Sequence, residues 1–427
     1  MYTIFETFVG AGGSHLGFIN NGFKTKYVND FDDNCLKTLV YNNPEIEKEA
    51  IIDNSSIMDI DPSKILEKTN MKPRELDVLF GGLVCKGFSL AGERSPNDER
   101  NYFYRKQLKI VEAVKPKISI IENVPGIQNA KVLSPNASEE VADKIDDIWQ
   151  KLEDYKGLKA YARKSNNITK EIQEKGKELR KEKEEMIDFL EKEHLLIPVI
   201  DDIKMIYDKL GYKVYMQVLN SACYGAATKR ERVIIVAVRN DIKFEFNFPE
   251  ATYGNETFKE KYPYLYINKD KEIKPLRTVN DALNIIDYSN ERDIDNIPMQ
   301  HNQKTVERFK YIPEGDSIAN HIDELPEDLK ISKFYSRGNT MRLAGNEPSP
   351  TLVPGHSNFP VHPKENRSIT VREAATITGF PLQYKFFGSH TKRCEEVGNA
   401  VPPPLSAAVA KSAKELLDKY YNKEKNK

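Results

Sequence analysis

An apolar run, Tyr2 to Phe8, ends on Gly10, Gly12 and Gly13, and a helical stretch from Ser14 to Asn21 follows at once. Strand, glycine turn and helix in that order open a parallel α/β sheet, because glycine gives the backbone a tight turn and a close approach where any Cβ would collide. A second short strand, Thr25 to Asn29, ends at Asp30, and a helix over Cys35 to Tyr41 follows before Pro44 breaks it. Further strands are predicted over Asp77 to Phe80, Ile118 to Ile121, Tyr212 to Asn220 and Val233 to Val238, with helices between them. This rhythm predicts an open α/β domain whose ligands sit outside the C-terminal strand ends.

At 427 residues the chain is long enough for two domains and a large core without disulfide or metal staples. Its longest apolar runs fall far short of a bilayer span, so no membrane association is expected. Cys35, Cys85, Cys223 and Cys394 are widely separated, with no CxxC pair and no adjacent His cluster, which argues against a disulfide framework or a metal site. Met1 to Gly10 lacks the pattern of a signal peptide, and a reducing cytoplasm is expected. Lys+Arg 64 against Asp+Glu 65 leaves a formal net charge of -1, so any nucleic-acid affinity must come from a local basic cleft.

Between about 134 and 196 the composition shifts to Lys and Glu, with Ile168, Ile172, Leu179, Met186 and Phe189 at about 3.5-residue spacing; one long helical arm is predicted there. A solvated helix packing on its own domain is favoured over a partner-binding coiled coil, and no catalytic role is assigned to it. From about 241 to 345 the α/β rhythm gives way to Tyr, Asn, Asp and Pro, so a small irregular second domain is expected between 1–240 and the returning segment 346–427. That last segment should contain a helix beginning near Thr370 and a final helix from Leu405 onward.

Four residue types with chemistry fall at or beside predicted strand ends. Asp30 is placed to accept hydrogen bonds from ribose hydroxyls, and Phe31 beside it to stack on a purine. Cys85, in G-G-L-V-C-K-G-F-S, lies on a loop after the Asp77 to Phe80 strand, where a nucleophile would sit, and Lys86 favours its thiolate. A buried free cysteine is the plain alternative. Glu122, in I-I-E-N-V-P-G, ends another strand on the same edge. Arg230 and Arg232 alternate on an extended segment and so point the same way, toward a phosphate or a base edge; a solvated strand face is about as good a reading.

The ordered set of motifs resembles the DNA cytosine-5 methyltransferases that use S-adenosylmethionine, nearly end to end. It comprises F-V-G-A-G-G at Phe8 to Gly13, G-G-L-V-C-K-G-F-S at Gly81 to Ser89, D-E-R-N-Y-F at Asp98 to Phe103, E-N-V at Glu122 to Val124 and R-E-R at Arg230 to Arg232. E-P-S-P-T-L at Glu347 to Leu352, R-S-I-T-V-R-E-A-A at Arg367 to Ala375 and G-N-A-V-P-P at Gly398 to Pro403 complete it. The resemblance implies a Rossmann-like, mostly parallel methyltransferase domain with a small target-recognition domain, and base flipping of a cytosine out of duplex DNA. It implies Cys85 as the nucleophile toward C6, Glu122 at N3, and Arg232 on the flipped base with Arg230 supporting it. Phe8, Gly10, Gly12, Gly13, Asp30, Phe31, Ser56, Ile57, Phe103 and Asn399 would line the S-adenosylmethionine site. Ser89 would contact the phosphate backbone, and Ser336, Arg337 and Arg342 would contact DNA from the recognition region.

The chain departs from the family at Val84 and Lys86, where Pro and Gln usually flank the cysteine. It departs again at Ser56, where an Asp usually meets the adenine amino group, and at Ala227 and Thr228, which replace a usual Pro and Gln. These departures are the only support for a different reading, a slow DNA-binding regulatory or partner subunit of the same fold. An RNA cytosine methyltransferase is a further one, separated by the variable domain, which is usually much smaller in the tRNA-modifying branch. A Rossmann-type oxidoreductase explains the glycine turn and Asp30 but leaves Cys85, Glu122 and Arg232 without a purpose. A monomer is the default expectation, with the helical arm as the surface for any dimer.

Overall fold

The computed structural model describes residues 1–83, 95–165, 168–331, 338–355 and 359–425. It divides into two compact units, one of Met1–Gly82, Lys109–Glu122 and Tyr212–Lys427, the other of Leu83–Leu108 and Asn123–Gly211.

The first unit is built on a sheet of seven strands among the described residues: β1 (Tyr2–Thr7), β2 (Phe23–Asn29), β3 (Ile51–Asp53), β4 (Val78–Gly82), β5 (Ile118–Asn123), β8 (Tyr212–Asn220) and β9 (Glu231–Arg239). Their spatial order is β3-β2-β1-β4-β5-β9-β8. β1 through β5 run parallel, and β8 and β9 pair antiparallel over their full length, from Tyr212 opposite Arg239 to Asn220 opposite Glu231. The reversal of strand order on either side of β1 and β4 is the switch point beside which doubly wound sheets bind ligands.

The crossovers explain the parallel half. α1 (Gly13–Ile19) joins β1 to β2, and α2 (Asp33–Asn42) with α3 (Ile46–Glu49) joins β2 to β3. α4 (Pro62–Thr69) leads to β4, and α5 (Phe103–Val114) to β5. β1 is buried from Ile4 to Thr7, as a strand covered on both faces must be. Its one charged member, Glu6, is satisfied by His15 Nδ1 at 2.6 Å. The C-terminal helix α14 (Pro403–Lys425) lies on α1, and Gly17 is what lets it: a Cβ there would stand 2.4 Å from the Ala407 amide nitrogen. Leu405, Val409 and Leu417 then complete a core with Ile4, Phe18, Phe80 and Val236.

Between β9 and Gly345 the described residues form no strand longer than an isolated bridge, only α9 (Glu256–Lys261), α10 (Val279–Leu283), α11 (Gln303–Phe309) and single 3-10 turns. Order returns at α12 (Val371–Thr378), buried along its whole length and opened by a capping box of Thr370 and Glu373, and at α13 (His390–Asn399).

In the second unit the predicted single arm is two helices. α6 (Glu139–Lys164) and α7 (Lys170–Lys192) run antiparallel, joined at the base by β6 (Lys131–Leu133) paired with β7 (Leu196–Pro198), after which α8 (Val199–Lys209) follows. The break falls between Lys164 and Lys170, and Thr169 caps α7 by accepting from the Ile172 amide. The heptad-like apolar set is therefore not a seam for a partner: Leu179 is buried within the hairpin, while Ile168 and Phe189 stay exposed. Tyr155 lies over Gly176, where any Cβ would clash, so the helices close on their own core of Ile148, Trp149, Leu152 and Leu190. Among the described residues no helix is long and apolar enough to cross a membrane.

Candidate active site

The glycine loop leaves β1 under strain. Phe8 stands at φ 53, a left-handed conformation that a bulky residue avoids, and Gly10 at φ 55 and Gly12 at φ 89 continue it. The three glycines do different jobs. A Cβ on Gly12 would lie 2.7 Å from Leu39 and from the Tyr384 hydroxyl, and one on Gly13 2.2 Å from the Val401 carbonyl oxygen, so both serve packing. A Cβ on Gly10 would meet nothing within 4 Å. Its conformation needs glycine, and the space in front of it is open.

Asp30, at the end of β2, closes this loop: the Gly10 amide donates to its Oδ2 at 2.8 Å and the Asp32 amide to its Oδ1 at 3.0 Å. Burial pushes its carboxyl up, and those two amides oppose the shift. Phe31 is 68% exposed beside it, a large apolar ring with nothing covering it. Asn29, the residue before Asp30 on β2, donates across to the carbonyls of Asp53 and Ser55 after β3 and so shapes the turn that carries half-buried Ser56 and buried Ile57. Ser56 Oγ accepts from the Met58 amide at 3.3 Å. Asn399 ends α13 exposed, and the next two residues, Ala400 and Val401, pack on Gly13, which brings it to the glycine loop. Phe103, which begins α5, belongs to the second unit.

At the end of β5, Glu122 is 6% exposed, and Arg232 Nε lies 2.6 Å from its Oε1. Burial pushes this carboxyl up, against the lowering pull of Arg232 and then Arg230. Its other oxygen faces Gly82, where an added Cβ would stand 3.7 Å from Glu122 Oε2 and 3.4 Å from the Phe8 carbonyl. The ends of β1, β4 and β5 thus converge. Arg232 also donates through Nη1 to the Glu231 carbonyl.

Arg230 shares the strand direction of Arg232 but not its surroundings. Its Nη1 donates to the Gly398 and Leu352 carbonyls at 2.8 and 3.2 Å and its Nη2 to that of Asn399 at 3.2 Å, so it fastens the C-terminal segment instead of reaching for a phosphate. Thr228, one of the departures, is buried and donates to the Pro350 carbonyl at 3.1 Å. Arg342 corrects the expectation of a DNA contact. It is 5% exposed, and five acceptors hold its guanidinium: the carbonyls of Phe309, Ile312, His362 and Glu365, and Asn366 Oδ1. A cation wrapped in this way organises its own segment.

Cys85, Val84, Lys86, Ser89, Ser336 and Arg337 lie outside the described residues. The other three cysteines are free thiols, and burial raises them, Cys223 to about 11 and Cys394 to about 12, with Cys35 raised further by the neighbouring Asp30 and Glu396. None of these three is a nucleophile at neutral pH. Sequence reasoning assigned no role to Asn123, which donates from Nδ2 to the Leu83 carbonyl at 3.4 Å, two residues before Cys85. Nor did it notice Asn29. Both are carboxamides directly next to a predicted site acid, and that adjacency was the available signal.

The seven-stranded sheet in the order β3-β2-β1-β4-β5-β9-β8, with β9 antiparallel to β8 at one end, is a Rossmann-like methyltransferase fold, and solved methyltransferases share it. The model for C-5 cytosine-specific DNA methylases matches residues 2–148 and 187–415, and the chain belongs to that family of DNA cytosine-5 methyltransferases. It is 28% identical over 432 residues to the Type II methyltransferase M.Eco47II of Escherichia coli, across 98% of this chain and 80% of the relative. It is 28% identical over 426 residues to M.NgoFVII of Neisseria gonorrhoeae, across 98% and 88%. Among solved structures, a protein assigned as a DNA modification methyltransferase of an E. coli prophage superposes with a TM-score of 0.62 at 19% identity, across 98% of this chain and 100% of that one. Dnmt2 of S. pombe superposes at 0.51 with 14% identity, across 99% and 100%. These last two carry the fold alone.

Proposed function

We propose that this chain transfers a methyl group from S-adenosylmethionine to C5 of a cytosine flipped out of duplex DNA, through a covalent adduct on Cys85, as the modification half of a cytoplasmic restriction-modification pair. The observation that carries the reading is the buried Glu122–Arg232 pair at 2.6 Å on the same strand edge as the glycine loop.

The residues at that edge fit the cofactor. Open space at Gly10, the uncovered ring of Phe31, the inward carboxylate of Asp30 and the exposed amide of Asn399 supply room, a stacking surface and polar partners. When bound, S-adenosylmethionine supplies a methyl group activated on a sulfonium. The chain's residues do the rest. Cys85 Sγ forms a bond to C6 while Glu122 gives N3 its proton, so the ring never carries a full negative charge and C5 becomes nucleophilic. Arg232 holds Glu122 in place through Nε and contacts the flipped base with the rest of its guanidinium. Once C5 holds the methyl group, with the donor sulfur departing as a neutral thioether, C5 gives its proton to solvent, the Sγ–C6 bond breaks to return the Cys85 thiolate, N3 returns its proton to Glu122, and 5-methylcytosine leaves.

Incubation of the protein with radiolabelled S-adenosylmethionine and mixed-sequence duplex DNA, with RNA in parallel, tests this. Label recovered in DNA as 5-methylcytosine is expected, and sequencing the product reads out the site. Label in RNA alone, or in neither, removes the proposal.

A further inference from the structure

The family model leaves residues 149–186 unmatched, and these form the distal part of the α6–α7 hairpin. Charge along this hairpin is sorted. From Glu139 to Asp147, at its base, five acids stand against Lys144 alone. From Lys156 to Lys170, around its tip, the sequence carries five Lys or Arg and no Asp or Glu, and Glu171 and Glu174 follow on the first turns of α7. A face that needs only to stay solvated intersperses its charges, and the remainder of α7 does so, alternating Lys with Glu from Lys177 to Lys183.

The tip is also placed to use its charge. Lys156, Lys159 and Arg163 recur at i, i+3 and i+7 and so share one helix face, and Lys170 begins the return helix. Lys156, Arg163 and Lys170 are exposed, and neither Arg163 nor Lys170 makes an ion pair among the described residues. The pair Lys156 does make, with Glu153 at 3.2 Å, is exposed at both ends and competes weakly. On the adjoining flank Tyr161 is 73% exposed and Leu158 41%, an amphipathic ring and an apolar contact left in water. The hairpin closes on its own core, so these groups are not held back for a second helix.

We infer that the hairpin tip is a second nucleic-acid contact, a sequence-independent clamp on the phosphate backbone of duplex DNA outside the modified base. Lys156, Lys159, Arg163 and Lys170 provide the phosphate partners and Tyr161 the sugar or groove contact. The acidic base of the hairpin repels the same backbone, so the attraction is greatest toward the tip. With a net charge of -1 for the whole chain, such a local patch is how this protein gains the counterion-release term that its composition withholds. The inference rests on the reading that duplex DNA is the substrate.

The test compares the full-length protein with a Lys156→Gln/Lys159→Gln/Arg163→Gln variant on a short duplex and on one extended by roughly 20 base pairs on each side, more than the ~39 Å length of α6. The wild type should prefer the long duplex. The variant should lose this preference, bind the long duplex about 10-fold more weakly at moderate salt, and show a salt slope shallower by roughly two to three. Its thermal unfolding and its rate of methyl transfer at saturating DNA should be unchanged. Equal binding of both lengths by the wild type, or an undiminished preference in the variant, overturns the inference, as does a tip that binds anionic vesicles or duplex RNA in place of DNA. If no duplex is methylated by either protein, the proposed function fails, while the length preference still reports on the tip separately.

Discussion

Glu122 and Glu182 are both glutamates beside a base, in regions that use charge in opposite ways. At the sheet edge Glu122 sits 2.6 Å from Arg232 with both side chains 8% exposed. In the hairpin Glu182 stands 3.6 Å from Lys151 with the two side chains 44% and 46% exposed. A charge pair removed from water holds its geometry and shifts the proton affinity of its members; one left in water does neither to any useful degree. The sheet edge is therefore where single atoms matter, and the hairpin is where only the sum of charges does. Substitutions should separate the two regions by orders of magnitude.

The largest effect belongs to Cys85. Cys85→Ala should abolish methyl transfer while DNA binding persists, because the three described cysteines are held as thiols and offer no substitute nucleophile. Label transfer and a gel-shift titration on the same preparation check this, and undiminished transfer would sink the covalent mechanism.

Glu122→Gln comes next, with turnover lowered by about 10²–10⁴-fold and cofactor binding modestly changed, since an amide keeps the shape but has no proton to give. Because burial raises the Glu122 carboxyl, wild-type turnover should decline as pH rises through that group's titration, and the variant should lose this dependence. Equal turnover in the two proteins at any pH would remove the acid role.

Arg342→Ala and Arg230→Ala test whether buried guanidiniums act as fasteners. Each leaves several carbonyls without a donor, so each should lower stability by roughly 3 kcal/mol in urea unfolding. An Arg342→Ala protein of wild-type stability but weakened DNA affinity would return that residue to the DNA surface.

These two arginines also show what the sequence could and could not tell. The glycine turn, Asp30, Glu122 and Arg232 were legible because each lies at the end of a strand whose apolar run marks it, and strand ends on one edge of a parallel sheet converge whatever the loops do. Arg342 was not, since its five acceptors come from residues 309 to 366 and nothing in its own neighbourhood announces them. The acceptors of Arg230 lie more than 120 residues away. β3, only three residues long, has no pattern to read, and the sequence around Ser165 to Thr169 is as polar as the helix faces on either side, so no break stands out in it.

Glu396 crosses the comparison, because it asks whether burial without a cationic partner behaves as it does at Glu122. Glu396 on α13 is 4% exposed and accepts from Thr38 Oγ1 at 2.8 Å. Burial pushes its carboxyl from 4.5 up to about 8. In the unfolded chain it titrates at its ordinary value, so between about pH 4.5 and 8 the native state holds a proton that the unfolded state releases. Stability from this group is complete below that window and is lost as pH rises through it, at up to about 1.4 kcal/mol per pH unit, flattening above pH 8. Urea unfolding of the wild type and of Glu396→Gln at pH 5, 6.5 and 8 isolates the term, since the amide cannot ionise and should be the more pH-independent protein. Parallel pH profiles would mean that water reaches Glu396, and that at Glu122 too the proton affinity is governed by the arginines more than by burial.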